Sequence, residues 1–434
     1  MELERRLVAL SRAAPFAARG RVTALTGLVV RAAVEGARQG EVVEIRGAGR
    51  EPIPAEVVGL RDEEALLLPL GDPVGVGLDA SVVPTGRPLA VRAGPALLGR
   101  VLDGLGRPLD GRPLPRGLAE WPVDRPAPGP LRRRRIAEPL PLGIRALDGF
   151  LTVGRGQRLG LFAGSGVGKS TLLGQIARQA RSDLSVVCLL GERGREVRDF
   201  LEEALGEDGL ARSVVVAATS DAPALVRLRA AHVATAIAEW FAEVEGREVL
   251  FLLDSLTRFA RAQREVGLAA GEPPARQGYP PSVFSALPRL VERAGARERG
   301  GVTAVYTVLV AGGDMEEPVA DEVRGLLDGH VVLERSLMAR GRFPAIDVSQ
   351  SLSRLMPALA SEGHRAAAAR ARALLAAWES HQDLIALGAW RRGADPMVDE
   401  ALDRMPALEA FLAQGTRECT PFEETVQRLE ALSR

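Results

Sequence analysis

An α/β fold with a mostly parallel sheet, preceded by a small β-barrel domain and followed by a helical domain, is predicted by three observations. From Arg158 onward, short apolar runs alternate with segments of helical periodicity, the pattern of strand–helix units that build a parallel sheet. Between Arg21 and about Arg92 the texture is different, with β-prone stretches standing between Gly, Pro and Asp. After about Ser361 the pattern turns helical, starting with an alanine- and arginine-rich stretch over 364–377. These shifts divide the chain into residues 1–92, 93–360 and 361–434.

The middle segment is organised around residues 158–176, R-L-G-L-F-A-G-S-G-V-G-K-S-T-L-L-G-Q-I. Leu159, Leu161, Phe162 and Ala163 read as a buried strand. Ser170 to Ala177 restarts at helical spacing, with Leu172, Leu173 and Ile176 apolar. Strand, glycine turn and helix together make a phosphate-binding P-loop: glycines let successive backbone N–H groups face an anion, and the helix N-terminus adds partial positive charge. Lys169 then reaches the β/γ-phosphates of a nucleotide and the Ser170 hydroxyl takes a place on Mg²⁺. Gly164, Ser165, Gly166, Val167, Gly168 and Thr171 complete the cradle. Ala163 stands where the strict pattern has its first Gly, at a strand end where a methyl group need not block the phosphates.

Composition supports this reading. Lys169 is the one lysine; 55 of the 56 basic residues are arginine, and asparagine is absent. A compact, rotatable ammonium enters a phosphate cradle that a planar guanidinium fork does not fit, so this site resists the substitution made everywhere else. Net charge is zero, so no global field draws the chain to nucleic acid or anionic lipid. Two cysteines, Cys188 and Cys419, form no disulfide framework or zinc spacing. The mixed-charge start Met1–Arg6 lacks the apolar core of a secretory signal, and no apolar run reaches the length of a membrane span. A cytoplasmic protein is expected.

In chain order, residues 1–20 are expected as a short helix, and strands at 22–30, 41–46, 54–58, 65–70 and 80–84. Residues 101–129, rich in Gly and Pro, read as a loop-dominated approach to the next domain, and Arg132–Arg135 as a solvated run. A second apolar strand, 184–190, stops at G-E-R-G-R-E. Because strand C-termini are where open α/β sheets hold ligands, Glu192 is placed to polarise the attacking water and Glu196 to support the metal's water shell. A strand at 213–218 and a helix at 221–245 lead to E-V-L-F-L-L-D-S-L-T-R, where Asp254 closes an apolar strand as the Mg²⁺-holding carboxylate. Helices are expected at 364–377, 383–388, 399–405 and 422–432, the last capped by Thr420.

At this point the chain resembles the catalytic ATPases of type III secretion systems, the family of injectisome and flagellar export ATPases related to the rotary ATP synthase β-subunit. The resemblance rests on residues 98–111, 151–171, 191–200, 254–274, 278–284 and 317–324, spread over residues 98–360; residues 1–90 match in texture. The family's own loop reads A-G-S-G-V-G-K-S, which accounts for Ala163. The resemblance implies a RecA-like P-loop core, ATP and Mg²⁺ as substrate and cofactor, and Glu192 as catalytic carboxylate. It implies that Arg193 faces the γ-phosphate, that Arg354 in S-L-S-R acts as an arginine finger from a neighbouring subunit, that Phe343 stacks on adenine and that Phe411 forms the opposite wall. Tyr279, Asp314, Met315 and Glu316 become candidates for ring-pore or switch loops. The implied assembly is a homohexamer at the cytoplasmic face of the inner membrane, with a central stalk, peripheral stator proteins, the export gate and chaperone–substrate complexes as partners, and no nucleic acid. An injectisome is favoured over a flagellar system. A hexameric RNA translocase shares the layout, but residues 21–92 hold no Trp, Tyr or Phe for base stacking.

Overall fold

In the computed structural model, residues 19–47 and 51–433 are described. Six strands, β1 (Gly20–Thr26), β2 (Val29–Ala33), β3 (Glu41–Arg46), β4 (Ile53–Arg61), β5 (Glu64–Pro69) and β6 (Ser81–Pro88), close into a barrel in the order β1-β2-β5-β4-β3-β6. Alternation places the core: Glu41, Val43 and Ile45 of β3 point inward, with Val22, Ala32, Ala55, Val57, Leu67 and Val82. The buried Glu41 carboxylate accepts N–H groups from Arg38 at 3.1 Å and Gly86 at 2.6 Å. The expected strand over 22–30 is two strands, because Gly27 supplies the positive φ (59°) that lets a two-residue turn pair Thr26 with Val29. Most of the helix expected over 1–20 lies outside the described residues.

The remaining strands are β7 (Ala90–Ala93), β8 (Arg100–Asp103), β9 (Ala119–Pro122), β10 (Arg158–Ala163), β11 (Leu184–Glu192), β12 (Ser213–Thr219), β13 (Glu248–Asp254), β14 (Gly295–Ala296), β15 (Gly301–Leu309), β16 (Gly329–Leu333) and β17 (Ile346–Ser353). A central sheet runs β17-β16-β10-β15-β13-β11-β12-β8, parallel except where β17 meets β16, with β14 antiparallel on β15; β7 and β9 pair separately. Both faces are covered, so its strands read as unbroken apolar runs. In β11, Val186, Cys188 and Leu190 enter the core on one side and Val187 and Leu189 the core on the other. The stretch 101–129 is more ordered than its Gly/Pro content suggests. Its loop folds back so that Asp110 grips Arg100 (Nε–Oδ2 2.6 Å), and β8 is pinned as the edge of the central sheet.

Helices Glu362–Ala386, Pro396–Leu412 and Phe422–Ser433 form the C-terminal part. The two expected helices at 364–377 and 383–388 are one, since nothing between Ala377 and Asp383 breaks a helix; Ser361 caps it by accepting the His364 N–H at 3.2 Å. Thr420 is not the cap of the last helix: its hydroxyl accepts from Arg145 at 3.0 Å. Arg145, buried in the helix Arg145–Phe150, also donates to the Phe411 and Ala413 carbonyls and pairs with Glu418, fastening these helices to the core. Among the described residues no helix is long and apolar enough to cross a membrane.

Candidate nucleotide site

Parallel register brings the C-terminal ends of β10, β11 and β13 to one edge of the sheet, so the P-loop, Glu192 and Asp254 emerge together. The loop turns through left-handed Gly166 (φ 79°) and Gly168 (φ 87°) into the helix Lys169–Gln179. Gly168 is its cap without a side-chain hydrogen bond, which leaves the first N–H groups of the helix to an anion, at the positive end of the dipole. Lys169 Nζ lies 2.5 Å from Asp254 Oδ1 and 3.8 Å from Glu192 Oε1. Thr307, from β15, donates its hydroxyl to the same Asp254 oxygen at 2.8 Å.

Glu192 is 8% exposed. Burial raises its pKa to about 7, and a hydrogen bond with Glu196 and the nearby Asp254 charge push the same way, against Lys169 and Arg258. Glu196 is held below the usual range by that same hydrogen bond. Arg258 is the residue that sequence reading missed: its Nη2 donates to Glu192 Oε2 at 2.8 Å and its Nη1 to the Gly191 carbonyl. Two local features bring it there. Ser255 caps the helix Leu256–Ala269 by accepting the Arg258 N–H at 3.3 Å, and Gly191 leaves room, since a Cβ there would lie 3.2 Å from Arg258 Cδ. The signal was present in D-S-L-T-R, a basic residue one turn into the helix that follows Asp254.

Ser170 and Thr171 face a cavity of about 350 Å³ that Glu196, Arg178 and Thr416 also line. Arg193, next in sequence to Glu192, has its side chain 80% exposed, and its N–H reaches Glu196 at 3.5 Å. A second cavity, about 250 Å³, lies beside the start of the P-loop helix, walled by Val167, Gly168, Leu172, Leu333, Phe343 and Thr416. Phe343 is 47% exposed and presents a ring to it, while its carbonyl accepts the Gln414 N–H at 2.7 Å. Phe411 is not brought there. It is 5% exposed and packs edge-on against Phe150 (6.2 Å between centroids), because its helix turns it inward; Gln414 and Thr416, just beyond, line the cavity instead.

Arg354 is also remote. It is exposed, and its N–H donates to the carbonyl of Asp328, whose own N–H donates to the Arg158 carbonyl at the start of β10. The P-loop leaves the other end of that six-residue strand, roughly 17 Å away. Tyr279 is buried, with Arg264 over its ring at 5.1 Å, and is no loop-tip residue. Asp314 and Glu316 are exposed in the turn that follows β15.

Glycine cradle, lone ammonium and two buried carboxylates at parallel strand ends define a P-loop nucleotide hydrolase site. Residues 143–353 match the model of the ATP synthase alpha/beta family, nucleotide-binding domain, and residues 360–431 that of the T3SS EscN ATPase C-terminal domain. The chain is 49% identical over 432 residues to a type 3 secretion system ATPase of Xanthomonas euvesicatoria (99% of this chain, 97% of the relative). It is 49% identical over 416 residues to a flagellum-specific ATP synthase of Bacillus subtilis (95% of each). The assembled ATPase EscN of the enteropathogenic E. coli type III secretion system superposes with TM-score 0.91 at 42% identity, covering 96% of this chain and all of that one; in complex with its central stalk EscO the score is 0.89. The chain therefore belongs to the family of type III secretion and flagellum-specific ATPases.

Proposed function

We propose that this ATPase works as a homohexameric ring that energises protein export at the cytoplasmic face of a type III secretion apparatus. The single observation that carries the ring is the separation of Arg354 from its own P-loop: an exposed guanidinium at the far end of the sheet serves a site only if that site belongs to a neighbour. Its similarity to EscN, which assembles and binds a central stalk, supports the same reading.

In the proposed chemistry Lys169 and the loop N–H groups hold the β- and γ-phosphates, and Arg193 and the neighbour's Arg354 neutralise charge on the transferring phosphoryl group. Ser170 and Asp254 would hold Mg²⁺, with Glu196 supporting its water shell; a hydroxyl and carboxylates are the hard oxygen donors that ion selects. An ion held there would supply positive charge against the developing phosphate charge. Glu192 accepts the proton of the attacking water, and Arg258 holds that carboxylate in place. Adenine stacks on Phe343. Residues 1–92, 93–360 and 361–434 serve as ring-forming barrel, motor and docking domain, the last facing a central stalk and chaperone–substrate complexes, with stator proteins and the export gate as further partners.

Glu192→Gln should bind ATP and lose turnover by on the order of 10²–10⁴-fold, measured by phosphate release and nucleotide titration. Wild-type specific activity should climb with protein concentration as rings assemble. Retained hydrolysis in the variant removes the assigned role, and a monomer whose activity is independent of concentration removes the ring. The injectisome reading is favoured by the C-terminal match to the EscN domain model. A flagellar system is the second reading, carried by the equally similar Bacillus relative. Deletion in the native cell separates them: loss of effector secretion with intact motility supports the first, loss of motility the second.

A further inference from the structure

Resting on the nucleotide-site reading above, we propose that Arg335 is a positioning residue for the phosphates, acting by pinning one peptide plane of the P-loop. Its Nη2 donates to the Ser165 carbonyl oxygen at 3.0 Å. That oxygen and the Gly166 N–H belong to one planar trans peptide and point in opposite directions, so whatever holds the oxygen aims the N–H. The pin matters because the next residue is Gly166, at φ 79° with no atom within 4 Å of a Cβ position. Such a glycine gives the preceding peptide nothing to resist a flip, and a flipped peptide would turn a carbonyl dipole toward the phosphates.

The Arg335 side chain is exposed, and the backbone that carries it is anchored. The residue opens the short helix Arg335–Ala339, capped by Glu334, which accepts the Ser336 N–H at 3.2 Å; the Glu334 N–H donates to the Ala345 carbonyl at 2.9 Å. Arg342, in the same connection, donates to the Ile346 carbonyl and to Glu409, both at 3.2 Å. Among the described residues no other side-chain hydrogen bond joins 334–345 to the loop 164–168. The connection also carries Phe343, so a base-side role and a phosphate-side role for Arg335 are separable by choice of ligand.

The test compares ATP with inorganic tripolyphosphate, which has the phosphates and no base, using wild type, Arg335→Met and Arg335→Lys. Methionine keeps the stem and removes the donor; lysine restores a donor to the same oxygen. The KM for ATP and the inhibition constant for tripolyphosphate should rise together in Arg335→Met, each on the order of tenfold, with kcat changed less than about threefold. Arg335→Lys should recover most of both losses, and Phe343→Ala should weaken ATP while leaving tripolyphosphate unchanged. Unchanged constants in Arg335→Met, a loss confined to ATP, or a fall in kcat at constant KM would each overturn the proposal. Should the methionine variant not fold, Arg335→Ala carries the same comparison. A wild type that binds neither ligand would instead sink the nucleotide-site reading itself.

Discussion

In the proposed chemistry, Glu192 sets the pH response of this site. Buried, hydrogen-bonded to Glu196 and facing Asp254, it keeps its proton until about pH 7, with Lys169 and Arg258 limiting the rise. A protonated carboxyl takes no proton from water, so kcat/KM for ATP should climb about tenfold per pH unit below pH 7 and level off above it. A profile flat between pH 6 and 8 would contradict this, and Glu192→Asp should shift the profile. The positions of Lys169, Glu192 and Asp254 were legible in sequence because each ends or follows an apolar strand, and parallel strands deliver their ends to one edge. Arg258 was marked only by its place one turn into the helix after Asp254, and its partner was not legible, because only strand register sets it beside Gly191 and Glu192.

Among the elements, β8 shows how little local sequence is needed when a side chain does the anchoring. Four residues form the sheet edge because the loop behind them returns Asp110 to Arg100, which also donates to the Pro113 carbonyl at 3.1 Å. The hydrogen bond from Arg100 holds the Asp110 carboxyl well below the usual carboxylate range. The sign follows: a depressed native pKa stabilises the fold above the ordinary aspartate value, and that contribution fades as pH falls below about 4. Asp110→Asn, which leaves the buried guanidinium without its anion, should cost about 3–5 kcal/mol at pH 7, read from chemical denaturation. A variant as stable as wild type would show that β8 holds by its backbone ladder alone. Gly and Pro marked this region as loop, and the ion pair that orders it spans ten residues, beyond any periodicity signal.

For the whole molecule, the sheet holds apart two groups that the proposed ring would join across subunits. Each chain carries its P-loop and Arg354 at opposite ends of β10, so Arg354→Ala should lower turnover on the order of 10³-fold or more while ATP binding persists. Mixing that variant with Glu192→Gln, itself inactive, should restore hydrolysis, since random assortment completes about a quarter of the interfaces. Two inactive variants that stay inactive together would place Arg354 outside the neighbour's site. The barrel is fixed to the rest of the chain by an ion-pair triad: Arg229 of the helix Ala224–Glu243 pairs with buried Glu56 on β4 and, at 2.9 Å, with the exposed Asp124. Glu56 and Arg229 lie far apart in sequence, and nothing in the local pattern announced their pairing.

The amino-acid order alone settled the class of fold, the phosphate loop, its ammonium and both strand-end carboxylates, because glycine conformation, strand periodicity and helix starts are short-range physics. The folded chain settled which arginine touches Glu192, that Phe411 belongs to the core while Gln414 and Thr416 face the cavity, and that Arg354 is out of reach of its own loop. Those outcomes depend on which strands become neighbours and which way a helix turns. They are the product of packing over the entire molecule, where no stretch of neighbouring residues holds the information.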